Sequence, residues 1–168
     1  YYDWLTVKRA QERGAKVICV DPRFTCTASK ADIWLPIRPG SDMALVLAFI
    51  NEIVHSDKCA TEFARMYTNA PFFIDEKDAD GNGTGYQLRE SYLKEDGNEE
   101  PALSGSHEIN GKTYRTSWDI LVEHVTPWTI QRAAEFCELP EGKIKEAIDA
   151  YIDASQHACF TRGQKVEF

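Results

Sequence analysis

The 168-residue sequence contains no run of 18 or more apolar residues, so it encodes no segment that would span a membrane. It also has no CxxC pair among its five cysteines, and their wide spacing excludes the usual zinc and iron–sulfur ligand patterns. We therefore expect no metal-ligating residue within this chain. All five cysteines are expected to be free thiols in a reducing compartment, with Cys26, in a loop after a strand, as the first exception to test.

Positive charge is also scarce. The sequence has 19 Lys and Arg against 27 Asp and Glu, which gives a formal net charge of −8 at pH 7. Such an acidic balance argues against nucleic acid or an anionic membrane surface as the partner. Two local basic residues, Arg23 and Arg38, still suit contact with a phosphate group.

The start of the chain indicates a piece of a larger protein. It shows neither a starting methionine nor a secretory leader, and its first residues fit a helical pattern. Residues 4–13 predict a helix that stops at Gly14, and residues 16–20 predict a short strand buried on both faces. This order is the second half of a βαβ unit, whose first strand is expected to precede the chain.

Further helices and short strands follow. Residues 33–37 are a short extended run bounded by prolines, and residues 43–54 are apolar on nearly every side, as in a buried helix. Residues 75–111 are rich in glycine and acids, with a single hairpin expected at 109–112. The remaining predicted elements are helices over 59–69 and 118–124, one after a Thr126-Pro127 N-cap, one opened by Pro140, and a strand at 157–160.

The alternation of helices and strands predicts an α/β fold. We expect a doubly wound, mostly parallel, Rossmann-like sheet with an irregular insertion. The expected domain organisation is a single domain over residues 1–168, within which residues 75–117 form a variable surface insertion.

Two carboxylates stand where ligands gather in such folds. Asp21 follows the apolar strand directly, and an acid at that position accepts hydrogen bonds from ribose hydroxyls in dinucleotide-binding folds. The GxGxxG phosphate turn that would precede it is absent, so NAD is a poor candidate ligand. A solvated acid that merely ends a strand explains Asp21 equally well.

Asp42 follows Pro39-Gly40-Ser41 and begins a predicted helix. One interpretation is simple helix capping, because a carboxylate at a helix N-terminus is stabilised by the helix dipole. The other is that the carboxylate points outward and accepts two donors. The N1–H and amino group of guanine form such a pair, so two acids about 20 residues apart suit a guanosine ligand.

A family resemblance adds to these observations. The stretch "VDPRFTCTASKADIWLPIRPGSDMALVLAFINEIV" resembles the signature of the molybdopterin oxidoreductases, the dimethyl sulfoxide reductase family. "YTNAPFFI" and "HVTPWTIQRAAEFCELPEGKIKEAIDAY" are also similar to family segments, although Trp128 replaces the usual Glu. The resemblance covers most of the chain.

The resemblance implies a cofactor and the residues that bind it. Members of the family hold two molybdopterin guanine dinucleotides around one molybdenum or tungsten. By similarity, one segment lines a guanosine and its phosphates, and a second meets the guanine base. These candidate residues are Asp21, Pro22, Arg23, Phe24 and Thr25 in the first segment, and Gly40, Ser41 and Asp42 in the second.

The resemblance also implies what the chain lacks. The iron–sulfur cysteines, the metal-ligating residue and the C-terminal domain of the family have no counterpart in this sequence, so no catalytic residue is expected in it. The chain then resembles the middle domain of a molybdenum or tungsten oxidoreductase, inactive alone, with an iron–sulfur electron-transfer subunit as a partner of the whole enzyme. A stand-alone nucleotide- or sugar-binding module without redox activity is the alternative, and a structural subunit that has lost the cofactor is a third possibility.

Overall fold

The computed structural model describes residues 2–77, 80–92, 101–109 and 111–155, in which helices and strands alternate. The helices described are α1 Tyr2–Glu12, α2 Asp42–Val54, α3 Thr61–Tyr67, α4 Ser117–Val125, α5 Ile130–Cys137 and α6 Glu141–Ser155. The strands described are β1 Ile18–Val20, β2 Ile33–Leu35, β3 Phe72–Ile74, β4 Gln87–Tyr92, β5 Ser106–Ile109 and β6 Lys112–Thr116. This content confirms the predicted mixed α/β class, and the strand predicted at 157–160 lies outside the described residues.

The chain divides into two compact units. The first unit is formed by residues 1–58 together with 128–168, and the second by residues 59–127. Among the described residues, none of the helices combines the length and the apolar character that crossing a membrane requires. The single domain with an insertion at 75–117 stays a prediction.

The first unit is built on the parallel pair β1–β2, in which Ile18 lies opposite Ile33 and Val20 opposite Leu35. α1 ends where the sequence predicts, because Gly14 adopts a φ of +95°, a left-handed value that glycine reaches without strain. Helix α6 packs on β2, and α2 and α5 pack on each other and on α6 to enclose the core of this unit. The fully buried core residues there include Leu35, Ala48, Ala133, Cys137, Ile144 and Ala147.

Helix α2 was predicted to be buried on nearly every side, and the structure buries one side of it. Ala44, Leu45 and Ala48 face the core. Met43 and Val46 are 68% and 50% exposed, so the part of the chain that the structure describes leaves their side of α2 uncovered. The doubly wound arrangement likewise stays a prediction, because the described strands of this unit form a single parallel pair.

The second unit contains a four-stranded antiparallel sheet in the order β4-β3-β6-β5. The predicted hairpin is confirmed, since Ile109 lies opposite Lys112 in the β5–β6 pair. Within residues 75–111 lie β5, which is the first strand of that hairpin, and β4, a strand that the sequence does not predict. Polar strands such as β4, with the sequence QLRESY, give too weak an apolar alternation to be read from sequence.

One helix start also differs from its prediction. Thr126, predicted to cap the next helix, donates its hydroxyl to the Val122 carbonyl at 2.6 Å at the end of α4. The cap of α5 is Thr129, whose Oγ1 accepts a hydrogen bond from the Arg132 amide at 3.2 Å. The hydroxyl that caps a helix must lie three residues before the amide it satisfies, and Thr129 meets that condition.

Ion pairs tie the second unit together beside β3. Arg115 forms a two-point contact with Glu76, with Nε to Oε1 at 2.8 Å and Nη2 to Oε2 at 2.6 Å, and also reaches Glu123. Hydrogen bonds lower the pKa of Asp75 from 3.8 to about 2. The largest effect comes from the Lys112 side chain, and the next largest from the Thr84 backbone N–H. The native state therefore favours the ionised carboxylate of Asp75.

This shift predicts an acid-sensitive unit. A carboxyl group with a lowered folded-state pKa contributes stability above its unfolded value and loses that contribution as the pH falls towards the folded value, here from about pH 4 to about pH 2. We expect Asp75→Asn to flatten the fall of the urea unfolding midpoint between pH 4 and pH 2. Asp57→Asn, an exposed acid that makes no ion pair with the described residues, is the control and should leave that slope unchanged. Equal slopes for wild type and Asp75→Asn would refute the linkage.

Candidate functional site

Both predicted site segments follow the carboxyl ends of the parallel strands. Asp21 comes directly after β1, and its amide extends the pairing by donating to the Leu35 carbonyl at 3.2 Å. The second segment, Gly40 to Asp42, begins five residues after the end of β2. Adjacent parallel strands end at the same edge of a sheet, which is where ligands bind in open α/β structures. The two segments therefore border one edge of the β1–β2 pair.

The first segment is a tight turn organised by the half-buried carboxylate of Asp21. Its Oδ1 accepts a hydrogen bond from the Arg23 amide at 2.8 Å, and Oδ2 lies 3.5 Å from the Thr25 hydroxyl that donates to it. Pro22 suits the turn because its φ is fixed and it has no amide to satisfy. An ionised carboxylate has about four acceptor positions, so Asp21 retains capacity for further donors.

Trp34 fixes the same turn from the neighbouring strand. Its indole Nε1–H donates to the Asp21 carbonyl at 2.9 Å, and its ring meets Phe24 with centroids 4.9 Å apart at an angle of 61°. Trp34 was not among the site residues predicted from the sequence. The signal was present in β2, because Ile33 and Leu35 are buried and the residue between them must point to the opposite side.

The second segment is a turn followed by the start of α2. The Ser41 amide donates to the Arg38 carbonyl at 3.1 Å, and Gly40 has a φ of +83°. Pro39 and Gly40 thus occupy the two central positions as a type II turn requires. The Ser41 hydroxyl also donates to the Arg38 carbonyl, at 2.7 Å, so Ser41 is the N-cap residue without a side-chain capping bond.

Asp42 is the first residue of α2, and its side chain is exposed. Its carboxylate takes no hydrogen bond and no ion pair from the residues that the structure describes. It lies where the helix dipole favours a negative charge, yet it does not cap the helix. The carboxylate is therefore free to accept donors from a ligand, as the second interpretation of Asp42 requires.

Two arginines surround this edge with positive charge. Arg23 is exposed, and its guanidinium makes no hydrogen bond or ion pair within the described ranges. Arg38 lies 3.9 Å from Glu138, with both side chains largely exposed, and its amide donates to the Cys137 carbonyl at 3.0 Å. An exposed pair at that distance holds Arg38 weakly, so its guanidinium remains available to an anion.

Cys19 of β1 lies two residues before Asp21 in the chain. Burial, and after it the charge of Asp21, raises the pKa of the Cys19 thiol, which disfavours the thiolate that a nucleophile requires. Across residues 2–77, 80–92, 101–109 and 111–155, no three His, Cys, Asp or Glu side chains are grouped to hold a metal ion. The four cysteines in those ranges, Cys19, Cys26, Cys59 and Cys137, are free thiols, and Cys159 lies outside them.

Each of the two segments follows the carboxyl end of a strand in the β1–β2 pair. In the described part of the chain, no hydrogen bond or ion pair links residues 21–25 to residues 40–42. The site thus offers carboxylate acceptors, guanidinium groups and one exposed aromatic ring.

Comparison with known proteins gives a consistent family. The sequence model of the molybdopterin oxidoreductases matches residues 3–160. The chain is 37% identical, over 71% of its length, to the formate dehydrogenase major subunit of Haemophilus influenzae. It is 30% identical, over 86% of its length, to the formate dehydrogenase-O major subunit of Escherichia coli.

A solved structure agrees with these sequence matches. The acetylene hydratase of Pelobacter acetylenicus superimposes with a TM-score of 0.54 over 87% of this chain, at 25% sequence identity. The chain spans only 14% of that protein, and 12% and 15% of the two formate dehydrogenase subunits. Its relatives are therefore several times longer than the chain.

Proposed function

This chain belongs to the molybdopterin oxidoreductase family, and we propose that it is the middle domain of a larger molybdenum or tungsten oxidoreductase subunit. In this proposal it binds one guanosine end of a bis-molybdopterin guanine dinucleotide cofactor. The observations that carry the proposal are the carboxylate of Asp42, which has no partner among the described residues, and the Asp21 turn, which follows the carboxyl end of β1.

The residues at this edge fit the chemistry of a guanosine diphosphate group. Asp42 offers two acceptor oxygens to the N1–H and amino group of guanine, a charge-assisted pair of hydrogen bonds. The acceptor positions that Asp21 retains suit ribose hydroxyls. Arg23 and Arg38 provide cations for the phosphates, because a guanidinium matches phosphate oxygens in a bidentate way.

The reaction itself belongs to other parts of the proposed enzyme. The metal and pterins of the cofactor would supply the redox chemistry, while the residues of this chain bind and orient its nucleotide end. We further propose that residues outside these 168 complete a doubly wound sheet. The same outside residues would supply the metal ligand and an iron–sulfur cluster. An iron–sulfur electron-transfer subunit is the proposed partner, and the 168-residue chain alone is expected to be inactive.

The substrate is not set by this domain. The family includes a formate dehydrogenase and an acetylene hydratase by name, and one scaffold that serves such different reactions does not specify either. The proposal is therefore restricted to cofactor binding.

Variants at Asp21 test the proposed ribose contact. Asn keeps one acceptor oxygen, whereas Leu leaves the sugar hydroxyls unpaired, at a cost of roughly 1–3 kcal/mol. In the intact polypeptide we expect guanine content to fall modestly in Asp21→Asn and by roughly tenfold in Asp21→Leu, measured as GMP released by acid hydrolysis per polypeptide.

Asp32→Asn is the matched control for these variants. Asp32 is also an acid next to a strand, but its Oδ2 accepts from the Val17 amide at 2.8 Å and from Gln11 at 3.0 Å at the opposite end of β1. It should alter stability without altering guanine content. If Asp21→Leu retained as much guanine as wild type, the ribose contact would have to be abandoned.

A further inference from the structure

Burial does not explain the position of Phe24. This large apolar side chain is 66% exposed, in the turn between β1 and the following helical turn. Its ring meets Trp34, but that contact at 4.9 Å leaves most of its surface open. An apolar ring held in solvent gains little from the hydrophobic effect, so its placement at the ligand edge calls for another role.

Trp34 controls two parts of this edge at once. Its indole N–H holds the Asp21 carbonyl at 2.9 Å, and its ring contacts Phe24. Trp34 itself is fixed in β2, in register with Cys19 of β1. Trp34 therefore helps to orient Phe24 and the Asp21 turn, in addition to the hydrogen bonds that the Asp21 carboxylate makes within the turn.

We propose that Phe24 is the surface on which the purine base stacks, and that Trp34 is the positioning residue that holds this surface and the Asp21 turn in place. The inference rests on the proposed function and extends it by dividing recognition between two groups. Stacking on an aromatic ring provides affinity for any base, because every base has a π face. The choice of guanine falls to the Asp42 carboxylate.

The expected change in the rate of guanine release depends on which contact each variant removes. Loss of a base–aromatic stack is expected to speed release of the nucleotide end about tenfold in Phe24→Leu, since Leu keeps bulk but no π face. Phe24→Tyr keeps the ring and should release guanine at the wild-type rate. Trp34→Phe removes the hydrogen bond to the Asp21 carbonyl while keeping an aromatic ring, and should release guanine about fivefold faster.

The experiment uses the intact polypeptide purified with its cofactor. Guanine retained per polypeptide is followed over time in dialysis against a mild chaotrope, for wild type and each variant, with the thermal midpoint of each recorded. Phe136→Leu is the control, because Phe136 of α5 is also an exposed phenylalanine beside a tryptophan, with its ring centroid 5.5 Å from that of Trp128, and it lies outside both site segments. It should release guanine as wild type does.

Each outcome separates the inference from the proposed function. Faster release in Phe24→Leu, with rescue in Phe24→Tyr, supports the stacking role, because a merely structural effect would follow the thermal midpoint instead. Wild-type release from Phe24→Leu, or equally fast release from both Phe24 variants, overturns it while the proposed function stands. Absence of guanine from the wild-type polypeptide overturns the proposed function, and the inference with it.

Discussion

Asp42→Ala is expected to lose the guanine dinucleotide from the intact enzyme, with about 100-fold weaker retention. The carboxylate of Asp42 has no partner among the described residues, so in the proposed complex its two oxygens are committed to the ligand. Its removal takes away both acceptors of a charge-assisted pair of hydrogen bonds, which costs more than the loss of one neutral hydrogen bond. Asp42→Asn, which keeps one acceptor, should give an intermediate loss.

The measurement is the molybdenum or tungsten and the guanine content of the purified polypeptide. Glu52→Ala is the matched control, since it removes one carboxylate from the same helix at its other end. Near the C-terminus of α2 a negative charge opposes the helix dipole, so this control should keep full cofactor content. If Asp42→Ala kept its metal and guanine content and only its melting temperature fell, Asp42 would merely stabilise the start of α2 and would not bind guanine.

Leu35→Ala is expected to cost about 3 kcal/mol of unfolding free energy in the 168-residue chain. Leu35 is fully buried between β1 and the helices of the first unit, and the lost methyl groups would leave a cavity beside the α6 residue Ile144.

Val46→Ala is the control for Leu35→Ala, and urea unfolding is the measurement. Val46 lies on the exposed side of α2, so its truncation should change the unfolding free energy by less than about 0.5 kcal/mol. An equal loss in both variants would contradict the placement of Leu35 in the core.

The first unit could largely be predicted because its signals are local. A glycine stop at Gly14, the apolar run before Asp21 and the apolar helix after Gly40 each specify one element within a few residues. The predicted end of β1 assigns Asp21 to a strand end, and the predicted start of α2 assigns Asp42 to a helix start. Neither assignment needs knowledge of the tertiary fold. Only the structure shows that Asp42 is exposed and that α2 has no side-chain capping bond among the described residues.

The remaining features depend on contacts that local patterns do not report. The antiparallel sheet of the second unit uses polar strands such as β4 and β6, whose pairing is non-local and whose apolar alternation is weak. Trp34 looked like a core residue because an isolated tryptophan is most often buried for packing. Its hydrogen bond to Asp21 spans 13 residues along the chain and exists only when β1 and β2 pair.

The most direct test of the account is a structure of the intact polypeptide with its cofactor bound. The account predicts a guanine base whose N1 and amino nitrogen both lie about 3 Å from the Asp42 carboxylate oxygens, with ribose hydroxyls at Asp21. A guanosine bound elsewhere in the protein, with the Asp42 carboxylate in contact with water alone, would contradict it.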